Sequence, residues 1–221
     1  AERGLHVVGV PKTIDNDIEG CERSFGFDTA VATVTDALER VQTTGQSHGR
    51  IMILETMGRH AGWIALEAGI AGAADIILLP EIDHDIAALA AVCREREARH
   101  DFTLICMGEG AKANDGGITY DTPAPGDAGK PRLGGAAMVL RDRLQPLVQS
   151  EIRATVLGHV QRGGSPTPFD RVLATRYGVH AANLVAQGDF GHMVTLRDGK
   201  LATVGLDRVA SQNRLIQPDD A

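Results

Sequence analysis

The chain has 221 residues, of which 43% are hydrophobic and 23% charged, a balance typical of a globular protein with a buried core. Its formal net charge of -7 disfavours a nucleic-acid or membrane-surface partner, because both need a basic face. No apolar run approaches the roughly 18 residues that a membrane span requires. A local group of arginines remains compatible with an anionic ligand.

The cysteines and the start of the chain bear on the cellular setting. Cys21, Cys93 and Cys106 are odd in number and form no CxxC pair, which favours reduced thiols in the cytoplasm over disulfides or a zinc site. No charged and apolar leader precedes the strand-like run at residues 5–10. Because the chain begins abruptly in this strand-like run, we expect a further segment upstream of Ala1 in the complete protein.

Apolar periodicity predicts strands that alternate with helices. Buried strands are predicted at 5–10, 50–55, 76–79, 102–107 and 152–157, and helices at 27–41, 61–72, 86–99, 136–148 and 170–186. Pro146 should end or bend the fourth helix, and residues 110–135 read as a long loop. A hairpin is predicted from 191–196 to 200–204 across Asp198-Gly199. The pattern predicts an α/β fold with a doubly wound, mostly parallel sheet between helices.

Polar clusters follow several predicted strands, where ligands bind in open parallel sheets. Lys12, Thr13, Asp15 and Asp17 come directly after the first strand. Two carboxylates beside a lysine could deprotonate a hydroxyl and position a metal–phosphate complex. The alternative is a turn rich in Asp and Asn.

Two further clusters combine glycine with a charged residue. Met57-Gly58-Arg59 follows the second strand, where glycine admits a ligand and arginine offers a planar fork for phosphate. Glu109 lies between Gly108 and Gly110 and could accept hydrogen bonds from sugar hydroxyls. A solvated arginine and a simple turn are the respective alternatives.

The strand at 152–157 has cations around it. Arg153 lies near its start, and His159, Arg162 and a glycine pair follow its end. Two arginines and a histidine can form a phosphate cradle, although His159 could instead be an ordinary core residue. His159 has no cysteine or second histidine nearby, so it is a poor metal ligand.

Several motifs in order closely resemble the phosphofructokinase family over residues 7–186, apart from the region 110–150. They are PKTIDND (11–17), SHGR (47–50), ETMGRHAGW (55–63), GEG (108–110) and RATVLGHVQRGGSPTPFDR (153–171). The resemblance implies that ATP or pyrophosphate, with Mg²⁺, phosphorylates the 1-hydroxyl of fructose 6-phosphate. Such a reaction relies on positioning and charge neutralisation.

The resemblance also implies roles for residues of the first motif. Asp15 corresponds to the base that deprotonates the 1-hydroxyl, and Asp17 to a second carboxylate near the magnesium. Thr13 contacts the acceptor or the transferred phosphoryl group. Lys12 occurs in pyrophosphate-dependent members and in some ATP-dependent ones, so both donors stay open.

The remaining motifs correspond to the sugar-phosphate site. Met57, Gly58 and Arg59 match the loop over the sugar and the phosphoryl group, and Glu109 matches the carboxylate that binds sugar hydroxyls. His159 and Arg162 match ligands of the 6-phosphate. In this family Arg50 and Arg153 reach that phosphate from a neighbouring subunit, which implies a homodimer or homotetramer.

The pattern departs from the family at the donor site. No glycine-rich loop with an aspartate is present, since Ile118 follows Gly116-Gly117 and two alanines follow Gly134-Gly135. We expect residues 1–26 to carry the catalytic segment and part of the donor domain. Residues 27–165 should form the acceptor domain, with the long loop near 110–135, and residues 166–221 should return to the donor domain. We expect this chain to be a fragment and the activity to belong to the complete enzyme; the alternative is a non-catalytic sugar-phosphate-binding subunit or a remnant.

Overall fold

The computed structural model describes residues 4–99, 101–115, 120–121 and 132–217. Strands and helices alternate along the chain as the periodicity predicts. The strands are β1 (Val8–Gly9), β2 (Ile51–Thr56), β3 (Ile76–Leu78), β4 (Thr103–Gly108), β5 (Tyr120–Asp121), β6 (Arg132–Leu133), β7 (Ile152–Val156), β8 (His192–Arg197) and β9 (Lys200–Gly205). The helices are α1 (Phe27–His48), α2 (Trp63–Ala71), α3 (Ile86–Ala98), α4 (Ala136–Leu144), α5 (Pro168–Gln187) and α6 (Leu206–Val209).

The larger sheet contains four parallel strands in the order β3-β4-β2-β7. Every residue of β2 and β4 is buried, because helices cover both faces of the sheet. Side chains alternate between the faces, so Met52 and Leu54 pack with α1 and α2, while Ile51 and Ile53 pack with α3 and α4. The predicted doubly wound α/β architecture is therefore confirmed.

A smaller sheet has the order β1-β8-β9 and joins both ends of the chain. The β8–β9 hairpin is confirmed, with Asp198 and Gly199 at φ 51° and 72°, the backbone that a two-residue turn needs. Helix α5 covers this sheet through Leu173, Tyr177 and Leu184, which pack against strand β8.

The prediction of a buried strand over residues 5–10 was wrong. Strand β1 includes only Val8 and Gly9, and Leu5, Val7 and Val10 are 65%, 38% and 40% exposed. The physical reason is its position, because among the described strands β1 pairs with β8 alone. An apolar run predicts burial only where neighbouring elements cover both sides.

Other element ends agree with the sequence more closely. Helix α4 ends at Leu144, and a short 3-10 turn that contains Pro146 follows it, as the proline predicts. Much of the predicted loop at 110–135 lies outside the described residues, and its described parts include the paired strands β5 and β6. In the described residues no helix has the length and apolarity needed to cross a membrane.

The weakly patterned tail after Leu206 returns to the larger sheet. Ile216 is buried in the core beside α2, and its backbone N–H donates to Glu81. Trp63 donates its indole N–H to the Arg214 carbonyl at 3.0 Å, while the Arg214 guanidinium lies 3.9 Å from the Trp63 ring centroid. These contacts hold the end of the chain against the four-stranded sheet.

A buried carboxylate on β2 fixes the start of helix α4. Glu55 is 2% exposed and accepts hydrogen bonds from the backbone N–H groups of Gly135 and Ala137 at 3.0 and 2.7 Å. It thereby satisfies helix-terminal donors that have no partner within the helix, and its charge opposes the positive end of the helix dipole. The helix has no side-chain cap of its own at Gly135.

The substitution Glu55→Gln should lower the free energy of unfolding of the chain by about 1–3 kcal/mol, because an amide offers one acceptor oxygen and no charge to two buried donors. Urea denaturation measures this change. The exposed Glu95→Gln on α3 is a matched control and should change stability by less than about 0.5 kcal/mol. Equal midpoints for the two variants would remove Glu55 from this role.

Candidate functional site

The site lies at the edge of the larger sheet where the parallel strands end. Met57, Gly58 and Arg59 follow β2, Glu109 follows β4, and the 3-10 segment Gly158–Arg162 comes after β7. Glu109 donates its backbone N–H to the Thr56 carbonyl at 2.8 Å, which continues the sheet register into the site. Parallel pairing thus brings together segments that are distant in sequence.

The loop after β2 has a constrained backbone. Gly58 has φ 135°, and a Cβ there would lie 2.5 Å from the Ala61 carbonyl oxygen. Arg59 also has positive φ, at 56°, which is uncommon for a residue other than glycine. A Cβ on Gly110 would overlap the Arg59 carbonyl oxygen. These glycines let the two loops approach each other and leave the Arg59 side chain exposed.

Glu109 links the loops after β2 and β4. Its carboxylate is largely buried and accepts the backbone N–H of Arg59 at 2.9 Å. Burial raises the pKa of Glu109, and the negative charge of Asp15 acts in the same direction. The backbone N–H groups of Arg59 and Gly58 and the charge of Arg162 lower it. Glu109 is therefore electrostatically coupled to the segment after β1.

The pKa of Asp15 is set by burial, by one neighbouring carboxylate and by several neighbouring cations. Burial raises its pKa first, and the neighbouring Asp17 raises it further. The cations Arg59, Arg162 and Lys12 act in the opposite direction. A carboxylate whose pKa lies above its ordinary value is a better proton acceptor, which suits a general base.

The segment around Asp15 is held by an asparagine to which the sequence reasoning gave no role. Asn16 is 2% exposed with φ 54°, and its side-chain oxygen accepts the Ser24 N–H at 2.9 Å. Ser24 in turn donates its hydroxyl to the Thr13 carbonyl at 2.7 Å, and the Thr13 hydroxyl accepts the Asp15 N–H at 3.1 Å. The tolerance of asparagine for the left-handed region was the available signal.

Gln161 is a second residue that the sequence reasoning missed. It is 1% exposed and accepts the Met57 N–H at 3.2 Å, while its amide donates to the Gly158 carbonyl. It fastens the segment with His159 and Arg162, both exposed, to the loop after β2. A lone glutamine in sequence carries no signal for such burial, because only the packing decides it.

The structure does not bring Arg50 and Arg153 to this edge. Arg50 precedes β2 and Arg153 is the second residue of β7, so both lie at the opposite end of the sheet. The six residues of β2 separate the two edges by roughly 20 Å at about 3.3 Å per residue. Arg50 is paired with Glu151 at 2.6 Å, and Arg153 pairs with the same carboxylate.

Metal ligands are sparse in the site. Across the described ranges no three His, Cys, Asp or Glu side chains are grouped so that they could hold a metal ion. The cluster combines the carboxylates of Asp15 and Glu109 with the cations Arg59 and Arg162.

Comparison with known proteins identifies the family of this chain. Residues 1–185 match the family described as phosphofructokinase, and the chain belongs to that family. It is 47% identical over 221 residues to the ATP-dependent 6-phosphofructokinase 2 of Clostridium perfringens, covering 99% of this chain and 60% of the relative. It is 45% identical to the pyrophosphate–fructose 6-phosphate 1-phosphotransferase of Amycolatopsis methanolica, covering 98% of this chain and 63% of that protein.

Solved structures agree on the fold. The phosphofructokinase of Saccharomyces cerevisiae is 31% identical with a TM-score of 0.77, covering 93% of this chain and 26% of the yeast chain. A pyrophosphate-dependent phosphofructokinase from Marinobacter aquaeolei has a TM-score of 0.81 at 23% identity, covering 96% and 54% of the two chains. The chain thus spans about 60% of the length of the curated relatives described above.

The raised pKa of Asp15 predicts how stability depends on pH. Between the ordinary aspartate pKa and the raised one, the folded state binds more protons than the unfolded state, so stability falls as pH rises through that window. Asp15→Asn should therefore raise the free energy of unfolding at pH 7, by about 0.5–2 kcal/mol if it acts like other single stabilising substitutions.

Chemical denaturation at several pH values tests this. The gain from Asp15→Asn should disappear below about pH 3.9, where the aspartate is protonated in both states. Asp36→Asn is the control, because the Arg40 hydrogen bond lowers the pKa of that exposed carboxyl and its removal should not stabilise the chain. An Asp15→Asn chain that is less stable at pH 7 would contradict the assignment.

Proposed function

We propose that the complete protein transfers a phosphoryl group from ATP or pyrophosphate to the 1-hydroxyl of fructose 6-phosphate. The observation that carries the proposal is the coupling of Asp15 to Arg59, Arg162 and Glu109 at one edge of the sheet. The curated relatives include an ATP-dependent and a pyrophosphate-dependent enzyme, and both support the same reaction class. Because the chain spans about 60% of these relatives, the activity is assigned to the complete protein.

In this proposal Asp15 accepts the proton of the attacking hydroxyl, and its raised pKa favours that transfer. Arg59, on a backbone held by Gly58 and Gly110, neutralises charge on the transferred group. Lys12 and Thr13 assist there, and Met57 belongs to the same loop over the sugar. These side chains supply orientation and charge, the main requirements of phosphoryl transfer.

The sugar phosphate would bind between two segments of the site. Glu109 accepts hydrogen bonds from sugar hydroxyls, while His159 and Arg162 bind the 6-phosphate through charge-assisted hydrogen bonds. Both cationic residues are exposed on the 3-10 segment that Gln161 fixes beneath them. A phosphate bound in this way would lie close to Arg162, one of the cations that act on Asp15.

Magnesium enters the proposal through the donor. Mg²⁺ usually takes one or two carboxylates and completes its octahedral coordination with phosphate oxygens and water. Asp17 fits one such position, since its charge acts directly on Asp15. When bound, the metal would neutralise charge on the donor phosphates.

We further propose the division into domains that the sequence indicates, 1–26 with 166–221 and 27–165. The membership of the sheets supports it, because β1, β8 and β9 form one sheet and β2, β3, β4 and β7 the other. Within 166–221, the segment around Ile216 departs from this division and packs in the core of the larger sheet. We also assign the protein to the reducing cytoplasm, supported by the buried free thiols of Cys21, Cys93 and Cys106.

A coupled assay on the complete protein, with ATP and then pyrophosphate, tests the reaction. Asp15→Ala should lower kcat by roughly 10²–10⁴-fold, the usual contribution of a general base, while calorimetry still detects fructose 6-phosphate binding. Near-normal turnover of the variant would remove Asp15 from this role. Sugar-phosphate binding by a wild-type protein that turns over neither donor would instead favour the non-catalytic binding subunit.

We propose that Arg50 and Arg153 complete the 6-phosphate site of a neighbouring copy, in a homodimer or homotetramer. Their position at the opposite edge of the sheet supports this, because they cannot reach the Asp15 cluster of the same chain. Glu151 holds the two arginines together at the surface. A site built in this way would be incomplete without its neighbour.

Subunit mixing tests the arrangement. Asp15→Ala and Arg153→Ala proteins should each be nearly inactive. Dimers formed from both should regain activity, because one site then combines Asp15 of one chain with Arg153 of the other. Random mixing in a two-fold dimer predicts recovery to about a quarter of the wild-type rate. Absence of recovery in verified mixed oligomers would place the arginines outside the site.

A further inference from the structure

Two segments of the site are each followed by a helix: α1 follows the segment with Asp15, and α5 follows the segment Gly158–Arg162. These two helices begin beside each other. Helix α1 begins at Phe27 after Gly26, which has φ 100° and provides no side-chain cap. Helix α5 begins at Pro168, and its N-cap Thr167 accepts the Asp170 N–H at 3.3 Å. The first turn of each helix has N–H groups without partners in its own helix.

Four side chains connect these two helix starts, and we name the group Asp28, Thr29, Thr167 and Asp170 the cross-cap. Asp170 on α5 accepts the backbone N–H and the hydroxyl of Thr29 on α1 at 2.8 and 2.5 Å. In the reverse direction, Thr167 donates its hydroxyl to Asp28 at 2.6 Å and its N–H to the Thr29 hydroxyl at 3.1 Å. Each helix is therefore capped in part by the other.

Asp170 is an unusual residue to bury at such a junction. It is 3% exposed, and its second carboxylate oxygen has no hydrogen-bond partner in the described part of the chain. A buried, incompletely bonded carboxylate costs free energy, which the positive ends of two helix dipoles offset in part.

Each capped helix is tied to one half of the site. On the α1 side, Phe25 donates its N–H to the Pro11 carbonyl, and Ser24 bonds to the Thr13 carbonyl. These bonds fasten the Asp15 segment to the start of α1. On the α5 side, the phosphate segment Gly158–Arg162 ends five residues before Thr167, the N-cap of α5.

We propose that the cross-cap sets the position of the Asp15 carboxylate relative to the sugar phosphate held by the segment at 158–162. Thr29 and Asp170 are then positioning residues, which act through the helix starts and touch no reactant. This inference rests on the proposed function, since it assigns the base and the phosphate segment their roles. Misplacement of a catalytic group by about 1 Å can cost up to 10²-fold in rate, so a small shift between the helices is sufficient.

The test compares Thr29→Val, which removes the hydroxyl at nearly constant shape, with Thr29→Ser, which keeps it, in the complete protein. Thr29→Val should lower kcat about tenfold or more, with the KM for fructose 6-phosphate changed less than about threefold. Thr29→Ser should retain near-wild-type kcat. Leu140→Ala is the control, because it opens a cavity in the core beneath α4, away from the cross-cap.

Amide hydrogen exchange provides a readout that does not depend on turnover. Thr29→Val should speed amide exchange in two segments, residues 12–17 and residues 158–166. Leu140→Ala should leave exchange in these segments unchanged when each variant is measured at the same interval below its own melting temperature. Unchanged exchange in these segments, or equal kcat losses for Thr29→Val and Leu140→Ala, would overturn the proposal. If the wild-type protein turns over neither donor, the proposed function fails, and the exchange comparison still decides whether the cross-cap couples the two segments.

Discussion

The parallel pairing of β2 with β4 on one side and β7 on the other is the constraint on which the site depends. Parallel strands end at the same edge, so this pairing collects the Arg59 loop, Glu109 and the phosphate segment from positions far apart in the chain. The same pairing sends Arg50 and Arg153 to the opposite edge. One topological fact therefore gathers the candidate site at one edge of the sheet and keeps two arginines at the other edge.

Around that edge, buried polar side chains fix the positions of the loops that follow the strands. Asn16, Gln161 and Glu109 each form hydrogen bonds to the backbone of another site segment or of the chain that follows it. In a low-dielectric environment such bonds are costly to leave unmade, which makes alternative loop positions unfavourable. The cations Arg59, His159 and Arg162 are exposed, while the segments that carry them are held from beneath by Glu109 and Gln161. This division of roles suits a reaction that depends on positioning.

The cross-cap extends the same principle to the junction between the two sheets. Helix α1 packs on the larger sheet and α5 on the smaller one, and the hydrogen bonds between their first turns are concentrated at Thr29, Thr167 and Asp170. The cross-cap therefore holds the starts of the helices that cover the two sheets beside each other.

The sequence by itself determined the alternation of elements, the doubly wound class, the Asp198-Gly199 hairpin and the family, because local periodicity, turn chemistry and contiguous motifs are carried by neighbouring residues. Tertiary structure alone decided the exposure of Leu5, Val7 and Val10, since burial depends on how many elements flank a strand. It also decided the burial of Asn16 and Gln161 and the return of Ile216 to the core. The Asp170–Thr29 bond joins residues 141 positions apart, and no local pattern encodes such a contact. Motifs thus specify which side chains a site contains, and only the packing of the chain specifies which of them meet.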